Sequence, residues 1–193
     1  MPAIWRRCAF GLAAAAGLAA LTAAPAAAAD FAQQWEVGAY LVQTIYDNDS
    51  TISDTLGWGV RGGYHFKPQH GVELIYDIES ADESSRVSTG TFDITKATVN
   101  YVHDLKTKKP DAKVGAFLLF GGGKMLYDKG DDSESATLLQ TGGGVRVKMT
   151  KHIALRFDGK VFHYHGDSVL IPRDGFFGFD IDAGVSFFFG PGS

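Results

Sequence analysis

From Trp35 onward the sequence alternates in steps of two, and a run with that period buries one face only as a β-strand with two unlike sides. The clearest run lies at the end of the chain. Between Gly175 and Phe189 the odd positions are Phe177, Phe179, Ile181, Ala183, Val185, Phe187 and Phe189, while the even ones include Gly178, Asp180, Asp182, Gly184 and Ser186. A first strand sets Trp35, Val37, Ala39, Leu41 and Ile45 against Glu36, Gly38, Tyr40, Thr44 and Tyr46. A second sets Leu56, Trp58, Val60, Tyr64 and Phe66 against Gly57, Gly59, Arg61, Gly63 and His65, and a third sets Val72, Leu74, Tyr76 and Ile78 against Gly71, Glu73, Asp77 and Glu79. The sixth opposes Val145, Val147 and Met149 to Gly144, Arg146 and Lys148, and the seventh opposes Ile153, Leu155, Phe157 and Val161 to Arg156, Asp158 and Lys160. A fourth strand is expected near 91–103 and a fifth near 114–127, the fifth with no assignable faces.

A soluble sandwich also alternates, so the chemistry of the two faces decides between architectures. A solvated face is rich in Lys, Glu, Thr and Ser, whereas here the polar face mixes glycine with charges of both signs. That composition suits the inside of a small closed barrel whose outside is covered by lipid. Glycine (24 residues) and aromatics (14 Phe, 7 Tyr, 3 Trp) are then abundant for separate reasons, one for each face. Unpaired charge inside such a barrel is prohibitive. Arg61, Arg146, Arg156 and Lys160 are therefore expected to pair across the lumen with Glu36, Glu73, Asp77, Asp158, Asp180 and Asp182. Which pairs with which is not readable from the chain.

The connections alternate in length and charge. Those at Asp47 to Thr55, Glu79 to Gly90, Asp128 to Glu134 and His165 to Asp174 read as long acidic loops. Those at 67–69, 105–112 and 150–152 read as short basic turns. Outer-membrane barrels combine short periplasmic turns with longer extracellular loops and an even strand count, and eight strands fit this pattern without remainder. The fold class expected is all-β: an eight-stranded antiparallel up-and-down transmembrane barrel. The acidic loops suit a solvated surface, with divalent-cation bridging to lipopolysaccharide phosphates as the sharper reading.

Residues 1–29 read as a cleaved signal peptide. Arg6 and Arg7 precede a long Ala/Leu run, Pro25 breaks it, and Ala27-Ala28-Ala29 supplies small residues before Asp30. A transmembrane anchor is the competing reading, but a run made mostly of alanine contributes little insertion energy. Residues 30–193 then form the barrel domain, exported by the general secretory pathway. The single cysteine, Cys8, leaves with the leader, which excludes a disulfide framework and a multi-thiolate metal site. A formal net charge of −4, with 21% charged residues, argues against a disordered chain and against nucleic-acid binding.

Several stretches resemble the OmpA-like outer-membrane β-barrel domain family. They are 57–64 (GWGVRGGY), 71–77 (GVELIYD), 142–146 (GGGVR), 153–158 (IALRFD) and the aromatic final strand. The resemblance covers nearly all of the chain after the leader, and, in a departure from the larger relatives, a stand-alone barrel with no peptidoglycan-binding domain is expected. The resemblance implies contact with outer-membrane lipids and lipopolysaccharide, and recognition by the assembly machinery through a C-terminal strand ending at Phe189. Gly190-Pro191-Gly192-Ser193 follow that signal and depart from the pattern. Such barrels serve structural, adhesive, resistance and occasionally enzymatic roles, so the resemblance specifies fold more than function.

Other motifs have weaker claims. Gly57-x-Gly59-x-x-Gly62 matches the dinucleotide fingerprint formally, but it sits in an alternating strand with no helix to follow. His163 and His165 share a face yet lack a clear third ligand. The same segment raises the lipid A deacylase alternative, which needs His and Ser two residues apart; Ser168 stands five residues beyond His163. A narrow passive pore is the other alternative. The expectation is a monomeric, non-catalytic barrel without cofactor or metal, acting in envelope integrity or surface interaction, its lumen plugged by charge.

Overall fold

The computed structural model describes residues 33–46, 54–82, 91–105, 113–129, 132–166 and 175–191. The leader, and most of the loops expected at Asp47–Thr55 and His165–Asp174, lie outside these residues, as does most of the 105–112 turn. The described chain forms eight strands: β1 (Gln34–Tyr46), β2 (Thr55–Lys67), β3 (His70–Asp82), β4 (Thr91–Asp104), β5 (Val114–Lys129), β6 (Asp132–Lys148), β7 (Ile153–His165) and β8 (Phe176–Phe189). Each pairs antiparallel with the next, and β8 returns to β1, closing the barrel.

The register can be followed around the whole circuit. Glu36 pairs with Gly63, then the line runs through Glu73, Asn100, Gly121, Gln140, Phe162 and Gly178 to Tyr46. It returns to β1 ten residues beyond its start, since 46 less 36 is ten. A stagger of that size in eight strands requires a tilt of about 40° and leaves an interior just wide enough for side chains.

Alternation decides which side chains enter that interior. Even positions face inward on β1, β4, β6, β7 and β8, and odd positions on β2 and β3. The opposite set forms a lipid-facing belt that includes Leu41, Leu74, Phe120, Val161 and Val185. Trp35 and Tyr64, at the end where the strands bearing the chain termini meet, pack with ring centroids 4.8 Å apart. This end also carries the Pro68-Gln69 turn, so it is the periplasmic end by the short-turn rule.

Two segments differ from the sequence reading. The stretch expected as a long loop at 128–134 is largely strand, because β5 and β6 remain paired out to Lys129 and Asp132. Backbone pairing here outlasts the apolar signal that marks a strand in the sequence. β3 likewise runs on to Asp82, paired with Thr91, inside the expected 79–90 loop. In β5, whose faces the sequence leaves open, Phe117, Leu119, Met125 and Tyr127 point inward while Leu118, Phe120 and Leu126 point outward. Bulky apolar residues stand on both sides of β5, and Gly121 and Gly123 take the inward positions between them, so among the described side chains no charge marks the lumen side.

Some lumen glycines make room for rings. A Cβ on Gly59 would lie 2.1 Å from Asp77 Oδ1 and 2.5 Å from the Tyr40 ring, and one on Gly178 would lie 2.2 Å from the Phe162 ring. Tyr40 and Phe162 can cross the narrow interior only because these positions carry no side chain.

Candidate functional site

The inward faces assemble a polar interior in two charged layers. Nearer the periplasmic end, Arg156 is the hub. Its Nη1 lies 3.0 Å from Glu36 Oε1, its Nε 3.0 Å from Asp158 Oδ1, and its Nη1 and Nη2 both donate to Glu73. Arg61 Nη1 reaches the other side of Asp158 at 2.5 Å. Arg146 donates to Asp104, and its Nη2 lies 3.3 Å from Glu36 Oε2. His65 bridges Glu36 and Asp104, at 3.2 Å from each. The Ser186 hydroxyl donates to Glu36 at 2.6 Å. The guanidinium carbons of Arg146 and Arg156 stand 4.2 and 4.3 Å from the Phe117 ring centre, where a cation gains from the ring quadrupole.

The second layer, toward the outer end, uses lysines. Lys96 Nζ contacts Glu79 Oε1 at 2.5 Å, Asp180 Oδ1 at 2.9 Å and Thr44 Oγ1 at 3.1 Å. Lys160 Nζ lies 2.8 Å from Asp182 and 3.5 Å from Asp180. Hydroxyls complete the carboxylates: Thr44 donates to Asp180 at 2.6 Å, Thr55 to Glu79, and Tyr40 to Asp77. Arg61 Nη2, 3.8 Å from Asp182, joins the two layers. Beside them Gln140 donates to Thr98 at 3.0 Å and to the Asn100 side-chain oxygen at 2.7 Å.

Above the lysines the interior turns apolar. Tyr46, Tyr127, Phe162 and Tyr164 cluster with Ile94, Met125 and Leu138, and Tyr46 meets Phe162 and Tyr164 edge-on at centroid distances of 6.1 and 6.2 Å. Lys96 Nζ lies 4.8 Å from the Phe162 ring centre, directly under this cluster.

All ten charged residues singled out from alternation, Glu36, Arg61, Glu73, Asp77, Arg146, Arg156, Asp158, Lys160, Asp180 and Asp182, are buried in the interior. Nine have an ionic partner within 4 Å, and Asp77 is held by the Tyr40 hydroxyl instead. Among the described residues, sequence reasoning left four buried acidic or basic side chains out of that set: His65, Glu79, Lys96 and Asp104. The first two sit at the inward parity of β2 and β3 and could have been included on that ground. Lys96 and Asp104 lie on β4, whose inward set Ile94, Lys96, Thr98, Asn100, Val102 and Asp104 mixes apolar with polar residues and hides the period.

The weaker motifs find ordinary places. Gly57, Gly59 and Gly62 lie within β2, with no helix after them. His163 faces outward with its ring 4.8 Å from that of Phe177, and His165 is exposed at the end of β7; Ser168 lies outside the described residues. Among the described residues no group of three or more His, Cys, Asp or Glu is arranged to hold a metal ion.

Comparison with known proteins agrees with this architecture. The sequence profile of the outer membrane protein beta-barrel domain matches residues 13–187. Among solved structures, the chain is similar to the outer membrane protein OprG of Pseudomonas aeruginosa at 11% identity and a TM-score of 0.60, covering 85% of this chain and 99% of that one. Neisserial surface protein A is similar at 14% identity and a TM-score of 0.53, covering 80% and 95%. Ail, the attachment invasion locus protein of Yersinia pestis, is similar at 17% identity and a TM-score of 0.50, covering 82% and 99%. No curated protein matches the sequence.

Proposed function

The chain belongs to the outer membrane protein beta-barrel domain family and is an integral outer-membrane protein, and from that premise we propose that it acts as a monomeric, non-catalytic envelope barrel whose lumen is plugged by its own charges. In this reading residues 1–29 direct export through the general secretory pathway and are removed. The strand ending at Phe189 presents the chain to the assembly machinery, and the belt seats it among outer-membrane lipids and lipopolysaccharide. Its contribution is to envelope integrity or to contacts made at the cell surface.

The observation that carries the reading is the Arg156 hub, in which one guanidinium holds Glu36, Glu73 and Asp158 across an interior that has width only for side chains. Moving an ion through requires separating buried pairs, at several kcal/mol per orphaned charge. The aromatic cluster above adds an apolar obstacle on the outer side.

Planar bilayer recording on the refolded protein tests the plug. The expected record is flat, and discrete ion-conducting steps would favour the narrow pore instead. Mass spectrometry of lipopolysaccharide from cells expressing the protein tests the enzymatic alternative. Unchanged acylation is expected, and loss of an acyl chain would replace this proposal by a deacylase. Deletion should raise sensitivity to detergents or weaken surface attachment.

A further inference from the structure

The described surface holds one pair of imidazoles that neither the lumen nor the lipid belt requires. His70 opens β3 just after the Pro68-Gln69 turn, and His103 is the penultimate residue of β4; the two are direct cross-strand partners. Both are half-buried and face outward at the periplasmic end. Their ring centroids are 5.1 Å apart with planes inclined at 49°. The His70 ring is held by further contacts. Phe66 stacks on it at 6.2 Å and 15°, and His70 Nδ1 bonds the Tyr101 hydroxyl.

We propose that His70 and His103 form a two-imidazole site for a divalent transition-metal ion, Cu²⁺ or Zn²⁺, at the periplasmic edge of the barrel. A metal sits about 2.0 Å from each ligating nitrogen and the ring centre lies about 1.1 Å behind it, so two imidazoles spanning a tetrahedral angle have centres about 5 Å apart. The observed centroid spacing of 5.1 Å matches that separation. A ligating histidine ordinarily donates its second ring N–H to a neighbouring acceptor, which fixes the tautomer and raises ligand basicity. Tyr101 stands beside Nδ1 of His70; with its hydroxyl oxygen accepting the Nδ1–H, Nε2 is the nitrogen left to ligate the metal. Imidazole nitrogens are ligands that suit copper, zinc and nickel. With no third histidine, cysteine, aspartate or glutamate grouped with them among the described residues, water completes the shell. A micromolar affinity follows from so few protein ligands. The site is independent of whether the lumen conducts.

The test uses the mature protein without an affinity tag, folded in detergent micelles and titrated with CuCl₂ under electron paramagnetic resonance. One equivalent should bind at micromolar copper with nitrogen hyperfine structure from two donors. His70→Ala and His103→Ala should each weaken binding at least tenfold, Tyr101→Phe by several-fold, and His163→Ala not at all. Folded His70→Ala and His103→Ala proteins that bind copper like the parent would overturn the site, as would binding lost only with His163. Should either variant fail to fold, wild-type protein modified with diethyl pyrocarbonate supplies the answer. Copper should protect both His70 and His103, and equal modification with and without copper would sink the proposal.

Discussion

The two charged layers of the interior solve one problem with different side chains. At the periplasmic end three arginines and His65 serve Glu36, Glu73, Asp104 and Asp158, and Arg156 alone engages three carboxylates through its planar fork. Toward the outer end Lys96 and Lys160 face Asp77, Glu79, Asp180 and Asp182, and hydroxyls from Tyr40, Thr44 and Thr55 supply the remaining bonds. A guanidinium offers five donors in a fixed geometry, while an ammonium is a compact point charge. The arginine layer is thus cross-linked by its cations, and the lysine layer depends on neutral donors as well. Losing one cation should cost the first layer more.

Arg156→Leu is the harshest way to break that comparison. It deprives Glu36, Glu73 and Asp158 of a shared partner and should cost about 3–5 kcal/mol, read as a lower urea midpoint for the heat-modifiable band on a gel. Lys96→Met should cost less, roughly 2–3 kcal/mol, because Lys160 still faces Asp180, Thr44 still donates to it and Thr55 still donates to Glu79; a loss equal to that of Arg156→Leu would erase the distinction between layers. Arg156→Lys sharpens the point by keeping the charge and removing the fork, with an expected loss of about 2 kcal/mol.

A carboxylate placed one position out of register has no layer to join. Val185→Asp, on the lipid face beside the inward Ser186, should cost about 2 kcal/mol and slow insertion into lipid vesicles. Normal folding of that variant would contradict the facing of β8. The smallest effect belongs to Asp77→Asn, about 1 kcal/mol, since Tyr40 can still donate to the amide oxygen. A change comparable to Arg156→Leu would mean that Asp77 is an essential counter-ion rather than a hydrogen-bond acceptor.

Legibility in the sequence followed contrast between faces. Where one side of a strand was apolar and the other small or charged, as in β8, every inward charge could be named in advance. Contrast failed in β5, where Phe117 enters the lumen and Phe120 faces lipid with equal hydrophobicity. It failed in β4 as well, where inward Val102 and Ile94 sit among Lys96, Asn100 and Asp104. The tip of the β5–β6 hairpin escaped for another reason: Ser133 and Glu134 look like loop, yet their backbones pair with Asp128 and Tyr127. Backbone hydrogen bonding is available to every such residue, whatever its side chain.

By itself the sequence determined the membrane-spanning class, the strand number and the composition of the two faces, because a period of two commits each side chain to one side of a sheet. Only the tertiary structure decided the partners. Arg61 on β2 meets Asp158 on β7, and Lys96 on β4 meets Asp180 on β8, across a lumen rather than along a ladder. Those meetings depend on the height each residue reaches, which is set by the ten-residue stagger accumulated around the closed barrel. That stagger is a property of all eight registers together, and no single strand encodes it.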